Sequence, residues 1–574
     1  MATHDNEAHG STFDNNCRWP RRLLHLATLT SYPWEPGNRY GCYIEPEYFA
    51  ISYTWGRWEL EEGDYPGIPH LDFHTPWNIP RVNPNRFTQK QFIDVIQGLP
   101  KLSDKPIEFL WLDVACIDQR ERSHEKAMEI GRQGVIFRGA YRVFAWLYTY
   151  NRSELRSISE QLASYWRYVW NPLLKNKATT EDIAEVVGNI ISTLEKYTAD
   201  PWFTSLWTLQ EAYIRPDALL LDRDGDQWLA KINSISPRFS EEEVPIGVED
   251  VFESFDMLYR AMNELPIFCH NQDLHGIRDR IEATGCAALK TRIPTILLSA
   301  SQKRKIGPKN TNDRVYGIMQ AFGLKLGVSE PDSPPHAIYD LETLEDQLGA
   351  KLMETTPAMS QLFTHSKPAP VGKAWRMSYN TFIPHLATLA SSVIRMSSFE
   401  TTTTLSTRNI GDTVVGHFSG PTCSIQQLVY PWREYHVNQQ LTGYFGNSVG
   451  VALDDMVGLT PPLKLWKFFG VGEGEYSLVD WFKNEGLTVM VHMLGRSVNL
   501  PKNYAENTPM RAVQVVGLLL LRPEDAVGPE WRRLGICWWR IWDHDYMNRV
   551  EGNSSLATLA GKGDGWTLQH GTFG

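Results

Sequence analysis

The chain has 574 residues, 42% hydrophobic and 21% charged, which is enough for several globular domains with ordinary cores. Its formal net charge of −11 argues against nucleic-acid binding, which usually requires a basic surface. Seven cysteines without a CxxC pair argue against a structural zinc site, so we expect no bound metal. The polar N-terminus and the shortness of the longest apolar run, VVGLLLL, predict a cytoplasmic protein without a membrane span.

Short apolar segments and helical patterns alternate in the first part of the chain. Residues 1–20 are predicted to be disordered, and RRLLHLATL then predicts a first short strand. Strands that are apolar throughout, with helices between them, are typical of a parallel sheet covered on both faces. The segments expected to be neighbouring strands of one mainly parallel sheet are 48–54, 107–113, 142–148 and 218–222.

The pattern changes after about residue 230. Residues 231–370 are predicted to be mostly helical, and NDRVYGIMQAFGL (312–324) gives the clearest helical spacing. In that helix Val315, Ile318, Met319 and Phe322 are expected to be buried, with Tyr316 partly so. Residues 371–574 contain many short β-like runs and are predicted to form a β-rich C-terminal domain.

The residues that close the first predicted strand are candidates for binding a ligand. In doubly wound folds ligands bind beyond the carboxyl ends of the strands. Gly56 would let a ligand approach the backbone, Trp55 could stack on a ring, and Arg57 could meet a phosphate. The alternative is an ordinary turn at the end of a strand, with Trp55 in the core.

The end of the second predicted strand carries two acids, Asp113 and Asp118. Both could bind ribose hydroxyls, or both could cap the turn that follows, and the pattern slightly favours capping. Cys116 lies between them, but no histidine partner is evident nearby, so a buried structural cysteine is favoured over a nucleophile.

The stretch SLWTLQEAY (205–213) predicts a helix on which Trp207 and Glu211 lie one turn apart. Such a pair is either an ordinary surface contact or an acid held against the apolar wall of a pocket. We expect Glu211 to face a cleft bounded by Trp207 and by the end of the first strand, from Ser52 to Arg57.

Four ordered blocks resemble the HET (heterokaryon incompatibility) domain of filamentous fungi, namely YFAISYTWG, FLWLDVACIDQ, EKAMEIGRQGVIFRGAYRVFAWL and WFTSLWTLQEAY. The resemblance covers residues 20–325, of which 21–230 are assigned to the HET domain itself. Ser123 and His124 depart from the family, which often has Asp-Trp there. The resemblance implies an intracellular effector of incompatibility-type programmed cell death or fungal innate immunity.

The HET domain in turn resembles the TIR domain, which implies a TIR-like, doubly wound α/β fold. TIR domains often carry a Ser-x-Trp-Cys-x-x-Glu helix, and SLWTLQE places Ser205, Trp207 and Glu211 at the same spacing. Thr208 stands where TIR domains have Cys. In enzymatic TIR domains this glutamate is needed for NAD cleavage, so the resemblance implies a catalytic role for Glu211.

Two mechanisms compete under this resemblance. In the first, the domain is an NAD glycohydrolase, with NAD as substrate and no cofactor, and Ser52, Trp55, Gly56, Arg57, Asp113 and Trp207 form the substrate site around Glu211. In the second, it is a non-catalytic module that signals by self-association or by binding an unknown protein trigger. Glu211 in a cleft beside the ends of the first two strands would favour the enzyme, whereas Glu211 on an open surface or in a salt bridge would favour the module.

Overall fold

The computed structural model describes most of the chain, which forms two compact units. The first unit comprises Met1–Arg292 and Ala300–Leu344, and the second comprises Ile293–Ser299 and Glu345–Gly574. The sequence-based boundaries at residues 20, 230 and 370 stay predictions. No helix in the described residues is long and apolar enough to cross a bilayer. The described residues are 18–54, 58–60, 67–120, 124–170, 180–231, 243–264, 274–307, 310–334, 337–383, 399–441, 449–455, 469, 477–499, 511–522, 529–543, 554–563 and 565–574.

The first unit contains a sheet with strands β1 (Arg22–His25), β2 (Thr30–Glu35), β3 (Arg39–Tyr40), β4 (Tyr43–Ile44), β5 (Tyr48–Ser52), β6 (Phe109–Trp111), β7 (Arg142–Trp146) and β8 (Leu219–Leu221). Their spatial order is β4-β3-β2-β1-β6-β5-β7-β8. β5 pairs in parallel with β6 and β7, and β7 pairs in parallel with β8. This confirms that the predicted segments are neighbouring parallel strands. β1 was also expected, but the antiparallel extension through β2, β3 and β4 was not.

The order of the parallel strands defines where a ligand site is expected. Along the chain they run β5, β6, β7, β8, but β6 lies outside β5, so the winding direction reverses at β5. This is one of the two common doubly wound orders, in which ligands bind at the carboxyl ends of the two strands that meet at the reversal. Here those strands are β5, ending at Ser52, and β7, ending at Trp146.

Helices connect these strands and continue beyond them. α1 starts at a capping box, in which the Thr88 hydroxyl accepts from the Gln91 amide and the Gln91 side chain accepts from the Thr88 amide. A short pair, β9 (Leu229–Lys231) with β10 (Glu243–Pro245), lies among the later helices. The helices up to residue 355 are α1 (Gln89–Gly98), α2 (Asp113–Cys116), α3 (His124–Ile130), α4 (Gln133–Gly139), α5 (Arg152–Trp170), α6 (Thr180–Tyr197), α7 (Leu206–Ile214), α8 (Val248–Glu264), α9 (Leu274–Thr284), α10 (Cys286–Thr291), α11 (Pro294–Gln302), α12 (Asp313–Met319) and α13 (Leu341–Thr355).

Helices cover both faces of the parallel strands. Side chains alternate between faces along β5, so Tyr48 and Ser52 share one face and Tyr53 follows on the other. The Tyr48 hydroxyl donates to the carbonyl of Ile136 in α4, at 2.8 Å. The Tyr53 ring lies 6.0 Å from the ring of Phe92 in α1. Ser52 therefore points to the face that α4 covers, away from α1.

Helix α12 is the observed form of the helix predicted at 312–324. Val315, Ile318 and Met319 are buried and Tyr316 is half-buried, which confirms those predictions. The prediction that Phe322 is buried was wrong, because it is only half-buried. The α-helix gives way to a 3-10 turn at Gln320–Phe322, and Gly323 then turns the chain with a φ of 71°.

The second unit is built on an antiparallel sheet, which confirms the β-rich C-terminal region. Its spatial order is β14-β15-β17-β18-β19-β16, with β13 on β17 and β20 on β15, for strands β13 (Phe399–Thr401), β14 (Thr404–Ile410), β15 (Thr413–Ser424), β16 (Val449–Leu453), β17 (Val489–Asn499), β18 (Arg511–Leu521), β19 (Arg532–Asp543) and β20 (Thr567–Phe573). A separate pair joins β11 (Thr364–His365) to β12 (Thr381–Phe382). The remaining helices are α14 (Val429–Leu441), α15 (Leu478–Asn484) and α16 (Ser554–Leu559).

The substitution Ile318→Ala tests the packing of α12. Ile318 is 0% exposed, so the variant should lose about 2–4 kcal/mol of unfolding free energy, through lost burial and the cavity left behind. Urea denaturation followed by tryptophan fluorescence measures the loss. Ile338→Ala is the matched control, because Ile338 is 93% exposed and should lose almost nothing. Equal losses in both variants would show that α12 is not part of the core.

Candidate functional site

The centre of the candidate site is a hydrogen bond between the end of β5 and helix α7. The Ser52 hydroxyl donates to Oε2 of Glu211 at 2.5 Å. Ser52 is 1% exposed and Glu211 is 9% exposed, so the carboxyl group lies almost entirely inside the protein. The other oxygen, Oε1, receives no hydrogen bond from the described part of the chain. Among the described residues, only Oε2 of the carboxyl group is fixed by a hydrogen bond.

The indole of Trp202 fixes the direction of this hydrogen bond. Its Nε1 donates to the Ser52 hydroxyl oxygen at 2.8 Å, and an indole N–H can only donate. The Ser52 oxygen therefore accepts from Trp202, which leaves its own proton for Glu211. The result is a chain of donors that runs from Trp202 through Ser52 to the acid.

A second acid lies beside this chain. The Tyr53 hydroxyl donates to Oδ1 of Asp113 at 2.5 Å, and the amide of Val114 donates to the same oxygen at 2.7 Å. Asp113 is the first residue of α2, directly after β6, so it comes from the strand next to β5. The end of β5 thus provides two hydroxyl donors. One donates to the acid on α7, and the other donates to the acid that follows the neighbouring strand β6.

Burial and the second acid both act on the protonation of Glu211. Burial raises the pKa of Glu211 well above its ordinary value, and the nearby charge of Asp113 raises it further. The hydrogen bond from Ser52 acts in the opposite direction. Burial also raises the pKa of Asp113, against the two hydrogen bonds that it accepts. No Arg or Lys in the described residues forms an ion pair with Glu211.

Helix α7 holds Glu211 in place because it is buried on nearly every side. Leu206 and Leu209 are 0% exposed. Gly285 lies against Leu209 so closely that a Cβ there would clash, and its φ of 82° also favours glycine. Gly317 of α12 would place a Cβ 3.1 Å from Leu206. Segments well after α7 in the sequence therefore cover the helix that carries the acid.

The structure places the predicted substrate residues at different locations. Ser52 and Asp113 lie at the ends of neighbouring strands, as described above. The indole N–H of Trp207 is directed to Oδ2 of Asp313 in α12, at 3.3 Å. The indole bonded to the Ser52–Glu211 pair is Trp202, and a substrate role for Trp207 stays a prediction. The candidates Trp55, Gly56 and Arg57 lie outside the described residues.

Local contacts after β6 show the surroundings of Asp118 and Cys116, whereas a substrate role for Asp113 stays a prediction. Asp118 accepts from the Arg120 amide at 3.0 Å and pairs with its guanidinium at 2.6 Å, which is the capping role. Cys116 is 2% exposed, and burial raises its pKa to about 12. Its sulfur stays a thiol at neutral pH, as expected of a structural cysteine.

Sequence reasoning missed Trp202 and Tyr53, which donate to Ser52 and Asp113. Both lie inside blocks that carried the resemblance, WFTSLWTLQEAY and YFAISYTWG. The available signal was the presence of side chains that can donate hydrogen bonds within the same blocks as the acids. It would not have shown that the Trp202 indole reaches Ser52, because these residues are 150 positions apart.

The first unit is therefore an α/β domain with a mixed sheet, whose parallel strands follow a doubly wound order and carry a buried acid at the winding reversal. Residues 48–211 match the family model described as Heterokaryon incompatibility protein (HET), a span that runs from the first residue of β5 to Glu211. Residues 48–211 are thus a HET domain, which relates this part of the chain to heterokaryon incompatibility. No curated protein and no solved structure matches the chain significantly.

The raised pKa of Glu211 predicts a specific dependence of stability on pH. The folded pKa lies above the ordinary value of 4.5, so the folded state holds the proton more tightly than the unfolded state. Its stabilising contribution is complete below pH 4.5 and is lost as the pH rises through the folded value. Melting temperatures of the wild type and of Glu211→Gln should therefore be measured across pH. As the pH rises above 4.5, the melting temperature of the wild type should fall relative to that of the variant.

Glu108→Gln is the control for this titration, because Glu108 has an exposed side chain on the segment leading into β6. Removing this surface carboxylate should change the melting temperature little. If the Glu211→Gln curve stays parallel to that of the wild type at every pH, Glu211 is not a buried acid with a raised pKa.

Proposed function

We propose that the HET domain cleaves NAD at the nicotinamide–ribose bond and thereby acts in incompatibility-type cell death. Glu211 is the catalytic carboxylate in this proposal. The observation that carries it is the Ser52–Glu211 hydrogen bond, which holds a buried acid at the winding reversal of the sheet. The motif that contains Glu211 resembles a helix of TIR domains. TIR domains are also doubly wound, so the strand order observed here supports the resemblance.

The chemistry requires a negative group beside the ribose. The carbon–nitrogen bond breaks with its electron pair going to the nicotinamide nitrogen, which neutralises the ring and leaves positive charge on the ribose. A carboxylate next to that carbon stabilises the cation, as in glycoside hydrolysis. Water then adds to the carbon and releases a proton, so the products are nicotinamide, ADP-ribose and H⁺.

The electrostatics of the site suit a cationic substrate. The raised pKa of Glu211 results from burial and from Asp113, and its ionised form has no cationic partner in the described part of the chain. The positive nicotinamide ring would supply that partner and favour ionisation on binding. Nicotinamide release should therefore increase as the pH rises through the pKa of Glu211.

The hydroxyls have separate roles in this proposal. Ser52 orients the acid, because its proton is already donated to Oε2 of Glu211. Tyr53 holds Asp113, whose second oxygen Oδ2 can bind a ribose hydroxyl. Thr54, 5% exposed, has a buried hydroxyl without a partner in the described residues. A buried hydroxyl without a partner is destabilising, so Thr54 is a further candidate for contact with the substrate.

The substitution Glu211→Gln tests the proposal with little change of shape. NAD cleavage should fall at least about a hundredfold, because the amide cannot stabilise the ribose cation. Purified protein is incubated with NAD, and nicotinamide is measured by chromatography. Killing of fungal cells that express the variant should be lost in parallel. Glu108→Gln is the control and should behave as wild type in both assays.

Two results would contradict the proposal. Killing by Glu211→Gln at the wild-type level would remove the enzymatic role and favour a module that acts by self-association. Loss of killing without NAD cleavage by the wild-type protein, even when oligomerisation is forced, would make Glu211 a structural or partner-binding residue.

A further inference from the structure

Arg304 is a buried cation that is bound by backbone carbonyl groups. It is 1% exposed, and its guanidinium donates to the carbonyls of Trp202 and Ser205 at 3.0 and 2.9 Å. It also donates to the carbonyls of Ala283 and Thr284, at 2.7 and 2.6 Å. No acid in the described part of the chain pairs with it. Burial lowers its pKa to about 9, so it is still charged at neutral pH.

The backbone next to Arg304 joins the start of α7. The amide of Lys305 donates to the Thr204 carbonyl at 2.7 Å, and the Lys305 carbonyl accepts from the amide of Leu206 at 3.1 Å. Ser205, the residue before the helix, makes no capping bond with its side chain. The first amide of α7 is thus satisfied by a segment that lies beyond residue 211, where the match to the HET family ends.

We propose that Arg304 is a positioning residue of the candidate site, acting on Glu211 through the indole of Trp202 and the hydroxyl of Ser52. The inference rests on the proposed catalytic role of Glu211. It adds that the geometry of the acid is set from outside the matched segment. The route has three steps, from Arg304 to the Trp202 backbone, from the Trp202 indole to Ser52, and from Ser52 to Glu211.

The backbone of Trp202 is fixed on both sides of its indole. Its amide donates to Asp200 at 2.9 Å, and its carbonyl accepts from Arg304 and from the Thr208 hydroxyl. Hydrogen bonds weaken steeply as distance and angle change. If the contacts to the Trp202 amide or carbonyl were lost, the backbone would shift and the indole would no longer reach Ser52. The buried guanidinium of Arg304 gives that carbonyl a charge-assisted hydrogen bond.

The effect on Glu211 can be measured without any enzyme assay. Removing the indole N–H leaves the Ser52 hydroxyl free to rotate, so the hydrogen bond to the ionised acid weakens. Among the described residues, the other titratable groups that act on Glu211 are Asp113 and Tyr53, and neither compensates for that loss. Trp202→Phe should therefore raise the pKa of Glu211 further.

The experiment compares Arg304→Lys, Trp202→Phe and the double variant. The pKa of Glu211 is measured from the carboxyl band in infrared difference spectra, with Glu211→Gln as the subtracted reference. We expect Arg304→Lys to raise this pKa as Trp202→Phe does, and the double variant to show less than the sum of the two shifts, because both act through one route.

Arg215→Lys is the matched control. Arg215 lies at the other end of α7 and also binds carbonyls, those of Phe137 and Ala140 at 2.8 and 2.9 Å. It should lower the melting temperature without moving the pKa of Glu211. If Arg304→Lys behaves as Arg215→Lys does, or if the two shifts simply add, Arg304 is structural and the inference is overturned.

Two further outcomes separate this inference from the proposed function. If Arg304→Lys does not fold, Thr208→Val removes another donor to the Trp202 carbonyl, and an unchanged pKa of Glu211 would then overturn the inference. If the pKa shifts as expected but wild-type protein releases no nicotinamide, the proposed NAD cleavage fails while the control of Glu211 by Arg304 stands.

Discussion

The hydrogen bond from Ser52 to Glu211 is the interaction on which the first unit depends. It joins the end of a central strand to a helix 159 residues later in the chain. A carboxyl group in the interior is costly unless it is hydrogen-bonded, so this contact decides where α7 can lie. The burial of α7 against the surrounding segments follows, because a helix with a buried acid and buried leucines has little surface left for solvent.

The site contains two acids and several neutral donors. Glu211 and Asp113 each accept from a hydroxyl, and their charges oppose one another. Arg304 is a buried cation, and its guanidinium donates to backbone carbonyl groups. Fixed dipoles thus orient the acids without neutralising them. Burial favours the protonated form of Glu211, and a ligand that brings positive charge would favour its ionised form.

The sequence predicted the parallel strands and the helix that carries Glu211, because apolar runs and helical spacing are local signals. It did not predict the contacts that orient the acid, since Trp202 and Ser52 are far apart in sequence and only the fold brings them together. Helix α12 was predicted too long, because the turn at Gly323 follows a pattern that is still compatible with a helix. Strands β2, β3 and β4 are short and partly polar, so their alternation was too weak to detect.

The cover over α7 has a consequence for how such a domain can be inherited. The family match stops at Glu211, yet Leu206 and Leu209 are packed against glycines at positions 317 and 285. A genetic rearrangement that moved only residues 48–211 into another protein would carry the acid without the residues that enclose its helix. A transferred segment must therefore extend from residue 48 at least to Gly317 to include the residues that enclose α7. Recombination between Glu211 and Gly317 would separate the acid from those residues.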